Sequence, residues 1–343
     1  MAYHTTPYLL LFLPAVLLFY QVTPAKWRSY TLLIFSYLFF WSFSEKLIIY
    51  LIVTTFLTHH ICIWMDTMDK RDKRKKRVLQ LGIFLLLGTI LCLKYRNFFF
   101  GNVSKLAMVL HIDWSYRDQL IFLPIGISFY TLSAIGYMAD VYWGKVKAEY
   151  SLVKTALFLG FFPVIVEGPI CRWEDVEDTL FKNESVKAEN VFTGSYRIIW
   201  GLFKKMIIAD RLAVLVDKVY VGYESYSGAV IVAAAISYTI QLYMEFSGCM
   251  DMVIGSARLF GIRLPENFSQ PFFAKTCTDF WKRWHITLGV WFKNYIFYPV
   301  SISKTARKWN KFTRKHFKGD FGKYVARMGI AAMALFPVWI SNG

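Results

Sequence analysis

Apolar residues come in long runs along this chain, separated by short polar segments. The first run is 8–22, YLLLFLPAVLLFYQV, and others follow at 30–43, 47–64, 78–93 and 119–139. A sixth stretch, 152–166, is interrupted by Gly160 and Pro163, and further ones lie at 196–216, 228–246, 249–262 and 326–340. A helix needs roughly 20 apolar residues to cross a bilayer upright. The pattern therefore predicts about eight to ten spanning or half-spanning helices. The runs lack strict alternation, and lipid offers backbone groups no partners. An all-α integral membrane fold is then the only spanning solution. No internal repeat or low-complexity tract interrupts the pattern, so 1–343 reads as one polytopic domain.

The polar segments add an orientation. Residues 66–77, DTMDKRDKRKKR, hold seven basic and three acidic residues, which marks a cytoplasmic loop. Counting back, the 23–29 loop with Lys26 and Arg28 is cytoplasmic too, and the N-terminus lies outside. The 8–22 run has no small-residue cleavage site after it and reads as a retained span rather than a signal peptide. Segment 167–190 is acidic, with seven Asp/Glu against three Lys/Arg. Segment 304–327 carries nine Lys/Arg against Asp320 alone and reads as a cytoplasmic loop lying on anionic headgroups.

Composition narrows the class further. Hydrophobic residues make up 56% and charged residues 18%, with 40 Lys+Arg against 23 Asp+Glu for a formal +17. So greasy a chain is neither disordered nor a soluble globular enzyme. Its basic residues lie between apolar runs rather than on one polar face, which argues against a nucleic-acid partner and for membrane lipids. The five cysteines are scattered without a CxxC pair, so neither a disulfide framework nor a zinc site is expected. His59 and His60 are adjacent and point apart on a helix, so they form no i,i+4 metal pair. No metal or tightly bound cofactor is implied.

Polar groups inside apolar stretches are costly and point to function. Four clusters stand out. In 123–144, LPIGISFYTLSAIGYMADVYWG, Pro124, Gly126 and Gly136 loosen a helix ending at Asp140; it reads either as a packing helix or as a cavity wall. In 162–173, FPVIVEGPICRW, Glu167 and Arg172 are placed to pair at a broken helix end or an ordinary turn. In 241–272, Gln241, Glu245, Ser247 and Asp251 interrupt apolar sequence. Glu245 and Asp251 are six apart and share no helix face unless Gly248 breaks the helix, so a buried polar network facing a cavity fits better than paired catalytic carboxylates. In 279–300, DFWKRWHITLGVWFKNYIFYPV, Trp281 and His285 are i,i+4 neighbours on a helix, with Trp284, Leu288 and Trp291 as a second stripe. The bland reading is an interfacial amphipathic helix. The sharper one is a histidine at a pore mouth, with a pKa near neutrality suited to taking a hydroxyl proton.

Together, LPIGISFYTLSAIGYMADVYWG, the GLFKKMIIAD run at 201–210, FSGCMDMVIGSARLFGIRLPENFSQPF and DFWKRWHITLGVWFKNYIFYPV resemble the membrane-bound O-acyltransferase (MBOAT) family. More narrowly they are similar to its bacterial branch that acetylates alginate and D-alanylates teichoic acid. The resemblance covers nearly the whole chain. It implies a helical ring around a central tunnel, with the acyl donor arriving from the cytoplasm and the acceptor outside. It places the histidine of the family's WHxxL motif on His285 as a catalytic residue. Trp281, Trp284, Glu245, Ser247 and Asp251 would line the tunnel or bind substrate. The family's other key histidine would follow a motif matched by FPVWISNG at 336–343, so the resemblance implies a C-terminally incomplete chain. Glu245 stands where the family commonly has Asp, Cys249 where it has an aromatic, and Lys293-Asn294 where it has Arg-Asp.

The implied function is transfer of an acyl group, by preference acetyl, from a cytoplasmic thioester toward hydroxyls of a cell-surface polysaccharide. The donor would be acetyl-CoA or an acyl carrier protein. The implied setting is multi-pass in the plasma membrane. Its partner would be an extracytoplasmic acetyltransferase or the carrier protein. D-alanyl transfer to teichoic acid, a non-catalytic membrane remnant and a saccharide-lipid transporter are the alternatives; the last should show pseudo-symmetric halves, which the sequence lacks.

Overall fold

The computed structural model describes residues 2–69, 72–112, 114, 126–317 and 319–342. Pro124 and the start of the 119–139 run lie outside these. Among the described residues the regular elements are helices, apart from an isolated antiparallel bridge between Phe268 and Trp284. The chain divides into two compact units, Met1–Glu266 and Asn267–Gly343.

In the first unit a π-helical turn, Pro7–Phe12, runs into α1 (Leu13–Val22). Then come α2 (Arg28–Ser44), α3 (Ile48–Asp66), α4 (Lys73–Lys94), α5 (Arg96–Val109), α6 (Ile127–Trp143), α7 (Leu152–Gly160), α8 (Trp173–Leu180), α9 (Ala188–Leu202), α10 (Asp210–Val221) and α11 (Gly228–Leu259). Among the described residues, three segments are long and apolar enough to cross a membrane: Ala25–Asp66, Lys73–Lys94 and Gly228–Leu259; Pro7–Val22 is apolar but shorter. The first of these holds both α2 and α3, and so two of the apolar runs, 30–43 and 47–64. The 152–166 stretch is broken: α7 stops at Gly160, and turns follow at 162–167.

The polar boundaries behave as charge patterning requires. Asp72 caps α4 by accepting from the Arg74 backbone N–H at 2.8 Å, which places a carboxylate at a helix N-terminus. Helix α6 stays intact through Gly136, with Tyr130, Thr131, Ala134 and Tyr137 all buried, so the first cluster is a packing helix. Its N-cap Gly126 has φ 78, and a Cβ there would strike the Ile165 carbonyl, so only glycine fits.

The N-terminal segment is tied into the core. Tyr3, Tyr8, Phe12, Phe39 and Phe162 form one ring cluster, with centroids 5.2 to 6.4 Å apart. The Tyr8 hydroxyl donates to Ser256 Oγ on α11 at 2.9 Å, and Ser256 Oγ donates to the Met252 carbonyl at 2.7 Å.

Helix α11 departs from the sequence expectation. The runs 228–246 and 249–262 predict two elements, but 32 residues form one helix and Gly248 does not break it. Gly248 is used for contact instead. A Cβ on Gly248 would lie 2.8 Å from the Gly201 carbonyl oxygen, and one on Gly201 would lie 2.5 Å from the Gly248 oxygen. Seven residues away on each helix the pattern repeats: Gly194 and Gly255 would each place a Cβ 2.8 Å from the other's carbonyl oxygen. Two glycine pairs, met in opposite chain directions, therefore bring α9 and α11 almost backbone to backbone. Small residues at helix contacts allow this approach where lipid removes the hydrophobic drive.

In the second unit α12 (Cys277–Arg283), α13 (Ile286–Phe292) and α14 (Tyr298–Ser301) are short, and a π-helical turn, Lys293–Phe297, joins the last two. Then follow α15 (Lys304–His316), packed against α16 (Gly319–Asn342). The 304–327 segment expected as a loop is thus helical over 304–316 and 319–327.

Gly201→Val is expected to destabilise the protein by about 2 kcal/mol, because the backbone carbonyl of Gly248 cannot yield. Gly88→Ala on α4, where no atom lies within 4 Å of the new Cβ, should be neutral or stabilising by under about 1 kcal/mol. Thermal unfolding of both variants in detergent checks the contrast.

Candidate active site

The glycine contacts set where charge can meet across α9 and α11. Arg197 lies between Gly194 and Gly201, and Asp251 between Gly248 and Gly255, at helical i+3/i+4 spacing from each. The Arg197 Nε donates to Asp251 Oδ1 at 3.0 Å, and its two terminal nitrogens donate to the Glu266 carboxylate at 2.6 Å each. Lys204 Nζ donates to the other Asp251 oxygen at 2.6 Å. Lys205 Nζ donates to Glu245 at 2.8 Å and Asp210 at 2.7 Å.

Adjacent lysines reach α11 together because Phe203–Ala209 is a π-helical turn between α9 and α10. Such turns widen a helix locally and recur at functional positions. Three cations (Arg197, Lys204, Lys205) thus face four carboxylates (Asp210, Glu245, Asp251, Glu266). Asp251 and Ser247 are buried, whereas the Glu245 side chain is half exposed. Each of these carboxylates is engaged by a cation, so the network is built to join helices rather than to take protons. Asp251 is buried within a charge network, whereas Glu245 is half exposed, and the two carboxylates face different partners. Sequence reasoning missed Arg197, Lys204, Lys205, Asp210 and Glu266. Two lysines inside the 196–216 apolar run were the available signal, since buried cations require carboxylates.

The second cluster pairs differently from expectation. Arg172 binds Glu174 and Asp175 at the start of α8, and Asp175 accepts from the Arg172 backbone N–H at 3.0 Å. Glu167 instead accepts from the Cys249 thiol at 3.3 Å. The local capping arrangement holds Arg172 within its own turn, which leaves Glu167 to α11.

His285 stands at a break rather than on a continuous helix. Helix α12 ends at Arg283, Trp284 is extended with φ −105 and ψ 127, and His285 adopts φ 46 and ψ 52 as the N-cap of α13. Trp281 and His285 therefore do not share one continuous helix, and of Trp284, Leu288 and Trp291 only the last two lie on α13. The cause is tertiary. The Ile286 N–H donates to the Asn267 carbonyl at 3.0 Å, and the Ser269 N–H donates to the Arg283 carbonyl at 3.0 Å. Buried Asn267 Oδ1 also accepts from the Thr287 N–H at 3.1 Å and the Thr287 hydroxyl at 2.6 Å. These bonds hold the backbone on both sides of His285. Left-handed φ in a non-glycine residue is uncommon, and such strained positions cluster at functional sites.

The ring is partly buried, and burial pushes its pKa down from the ordinary histidine value to about 4. It lies outside the three candidate spans. The pKa near neutrality expected from the sequence is therefore not found; desolvation disfavours the cation. Trp284 stacks on Phe280 at 5.7 Å and meets Phe268 edge-on at 5.1 Å, while Trp281 is exposed.

Comparison with known proteins now bears on this arrangement. The family described as MBOAT, membrane-bound O-acyltransferase, matches residues 145–314. The chain carries an MBOAT domain. That region holds His285 and every member of the charge network. The chain is 34% identical over 298 residues to the probable alginate O-acetylase AlgI of Pseudomonas aeruginosa, covering 87% of this chain and 56% of that protein. It is 29% identical to the peptidoglycan O-acetyltransferase of Helicobacter pylori, covering 87% of this chain and 61% of that protein. It is 30% identical to the teichoic acid D-alanyltransferase of Bacillus subtilis, covering 54% of this chain and 48% of that protein. The chain thus spans little more than half the length of its alginate acetylase relative.

Asp251→Ala in the MBOAT domain is expected to cost about 3 kcal/mol, since it leaves Lys204 without its carboxylate in a nearly buried position. Lys204→Met in the same background should recover part of the loss, because an unpaired buried cation is then removed. A double-mutant cycle on unfolding in detergent measures the coupling.

Proposed function

We propose that this chain forms the catalytic part of a membrane O-acyltransferase that moves an acetyl group from a thioester toward hydroxyls of a cell-surface polysaccharide. The observation that carries the reading is a strained, partly buried histidine inside a region matched by an acyltransferase family. Similarity to the alginate acetylase covers 87% of the chain, against 54% for the D-alanyltransferase, which favours acetyl over D-alanyl. The wider setting belongs to the same proposal. The helices would surround a tunnel in the plasma membrane, acetyl-CoA or an acyl carrier protein would approach from the cytoplasm, and an extracytoplasmic acetyltransferase would be the partner.

The chemistry needs a hydroxyl oxygen to attack the thioester carbonyl carbon, with loss of the hydroxyl proton and departure of the thiolate. A base with a pKa of about 4 takes a proton from an alcohol poorly at neutral pH. A neutral imidazole is well suited to accept a hydrogen bond and aim that hydroxyl. We therefore assign His285 an orienting role. The proton would pass to a separate base. Shielding from water protects the thioester from hydrolysis, and the aromatic packing of Trp284 on Phe280 and Phe268 suits that need.

His285→Ala in the full-length protein should lower acetyl transfer by about 100-fold, measured in membranes supplied with acetyl-CoA or an acetylated carrier. Undiminished transfer removes His285 from the mechanism. The lowered pKa sets the pH dependence. The neutral ring persists from pH 8 to well below the ordinary histidine value of about 6.5, so the His285-dependent limb falls only as pH approaches 4. A limb centred near 6.5 would contradict the assignment.

A further inference from the structure

Helix α15 carries a row of charge that the acyl-transfer reading does not use. Its sequence, KTARKWNKFTRKH, has no acidic residue. Ala306 and Thr313 are buried and Trp309 and Asn310 partly so, all on the side packed against α16. Lys304, Lys308, Lys311 and Lys315 are all exposed. At 3.6 residues per turn these four fall within an arc of about 60°, opposite the buried stripe. Their spacing of four, three and four residues makes a straight row about 16 Å long. Arg307, also exposed, flanks it.

Such a row opposes helix formation, because like charges at i,i+3 and i,i+4 repel. The nearest acid along the chain gives no relief: Asp320 is held by Lys323 at 2.9 Å. The packing is nonetheless fixed from below. Ser303 caps the helix by accepting from the Ala306 N–H at 3.1 Å, and a side chain on Gly329 of α16 would collide with the Trp309 ring. The helix is thus packed on one side while its exposed lysines form no ion pair among the described residues.

We infer that this row is a docking face for anionic phospholipid headgroups. Lysines are compact point charges on flexible stems and suit a diffuse anionic plane; a site for one fixed phosphate favours the arginine fork. Exposed aromatic and aliphatic side chains nearby in sequence, Phe312, Phe321, Tyr324 and Met328, are of the kind that enter the interfacial zone. The sequence alone places this segment near headgroups through its net charge; the structure adds a capped helix with its lysines aligned on one line. The inference stands apart from the catalytic reading.

The test uses the purified full-length protein in detergent, titrated with phosphatidylglycerol and phosphatidylcholine and read by native mass spectrometry. The wild type should prefer phosphatidylglycerol, and the preference should collapse at about 0.5 M salt. The variant K304Q/K308Q/K311Q/K315Q should lose that preference by about fivefold or more, and the four-arginine version should keep it. Preference retained by the glutamine variant overturns the inference, as does wild-type preference that survives high salt. An acidic carrier protein that loses affinity for the glutamine variant, while lipid preference stays unchanged, would also overturn it. Where the fourfold variant fails to fold, the pairs K304Q/K308Q and K311Q/K315Q carry the test: each should lose part of the preference, and full preference in both overturns the inference.

Discussion

The near-contact of α9 with α11 is the constraint from which the first unit's polar chemistry follows. Each glycine pair puts a carbonyl where a side chain would otherwise stand. That separation brings Arg197 and Asp251, 54 residues apart in sequence, to 3.0 Å. Were the helices held at an ordinary packing distance of about 8–10 Å, with side chains between them, this pair would need to bridge more space. Buried opposite charges repay their desolvation only when geometry is good and remaining donors are satisfied. The guanidinium meets that condition by spending Nε on Asp251 and both terminal nitrogens on Glu266. Steric smallness and charge pairing are therefore one device rather than two.

The second unit solves a different problem, which is how to hold a single imidazole in an unfavourable backbone conformation. Asn267 does most of this. Its carbonyl takes the N–H that follows His285, and its carboxamide takes both donors of Thr287. An α-helix continued through 277–292 would have satisfied those groups internally and turned His285 into one more surface residue. Breaking the helix costs regular hydrogen bonds but fixes the ring on a corner. Positions of this kind persist only where surrounding contacts over-determine them.

How far the sequence disclosed these features depends on their range. The apolar runs revealed an all-helical membrane chain because helix burial is a local, periodic signal. Gly248 was readable as a breaker, yet it serves contact. A glycine in an apolar run looks the same in either role, and only a facing glycine such as Gly201 tells them apart. The counterions of Asp251 lie in α9 and its π-helical continuation, so no local window contains both partners. The helix break at His285 was hidden for the same reason, since its cause is Asn267, 18 residues upstream. Local charge misled in one place: the basic 304–327 segment was expected as a loop, yet 304–316 is a helix, because its buried Ala306 and Thr313 are too sparse a stripe to stand out among so many lysines and arginines.

Charged side chains close to His285 in sequence have partners of their own. Lys293 Nζ lies over the Tyr298 ring, 5.9 Å from its centroid. Asp279, a carboxylate close in sequence to His285, is bound to Arg283 Nε at 3.0 Å and caps its own turn. A neighbouring carboxylate would raise the imidazole pKa and favour a proton-taking role. Here desolvation moves it, and it moves it down. A ring kept neutral by burial keeps a lone pair for a hydroxyl donor over the whole neutral range. That is what an orienting group requires, and under the proposed reading it would leave proton removal to a separate base.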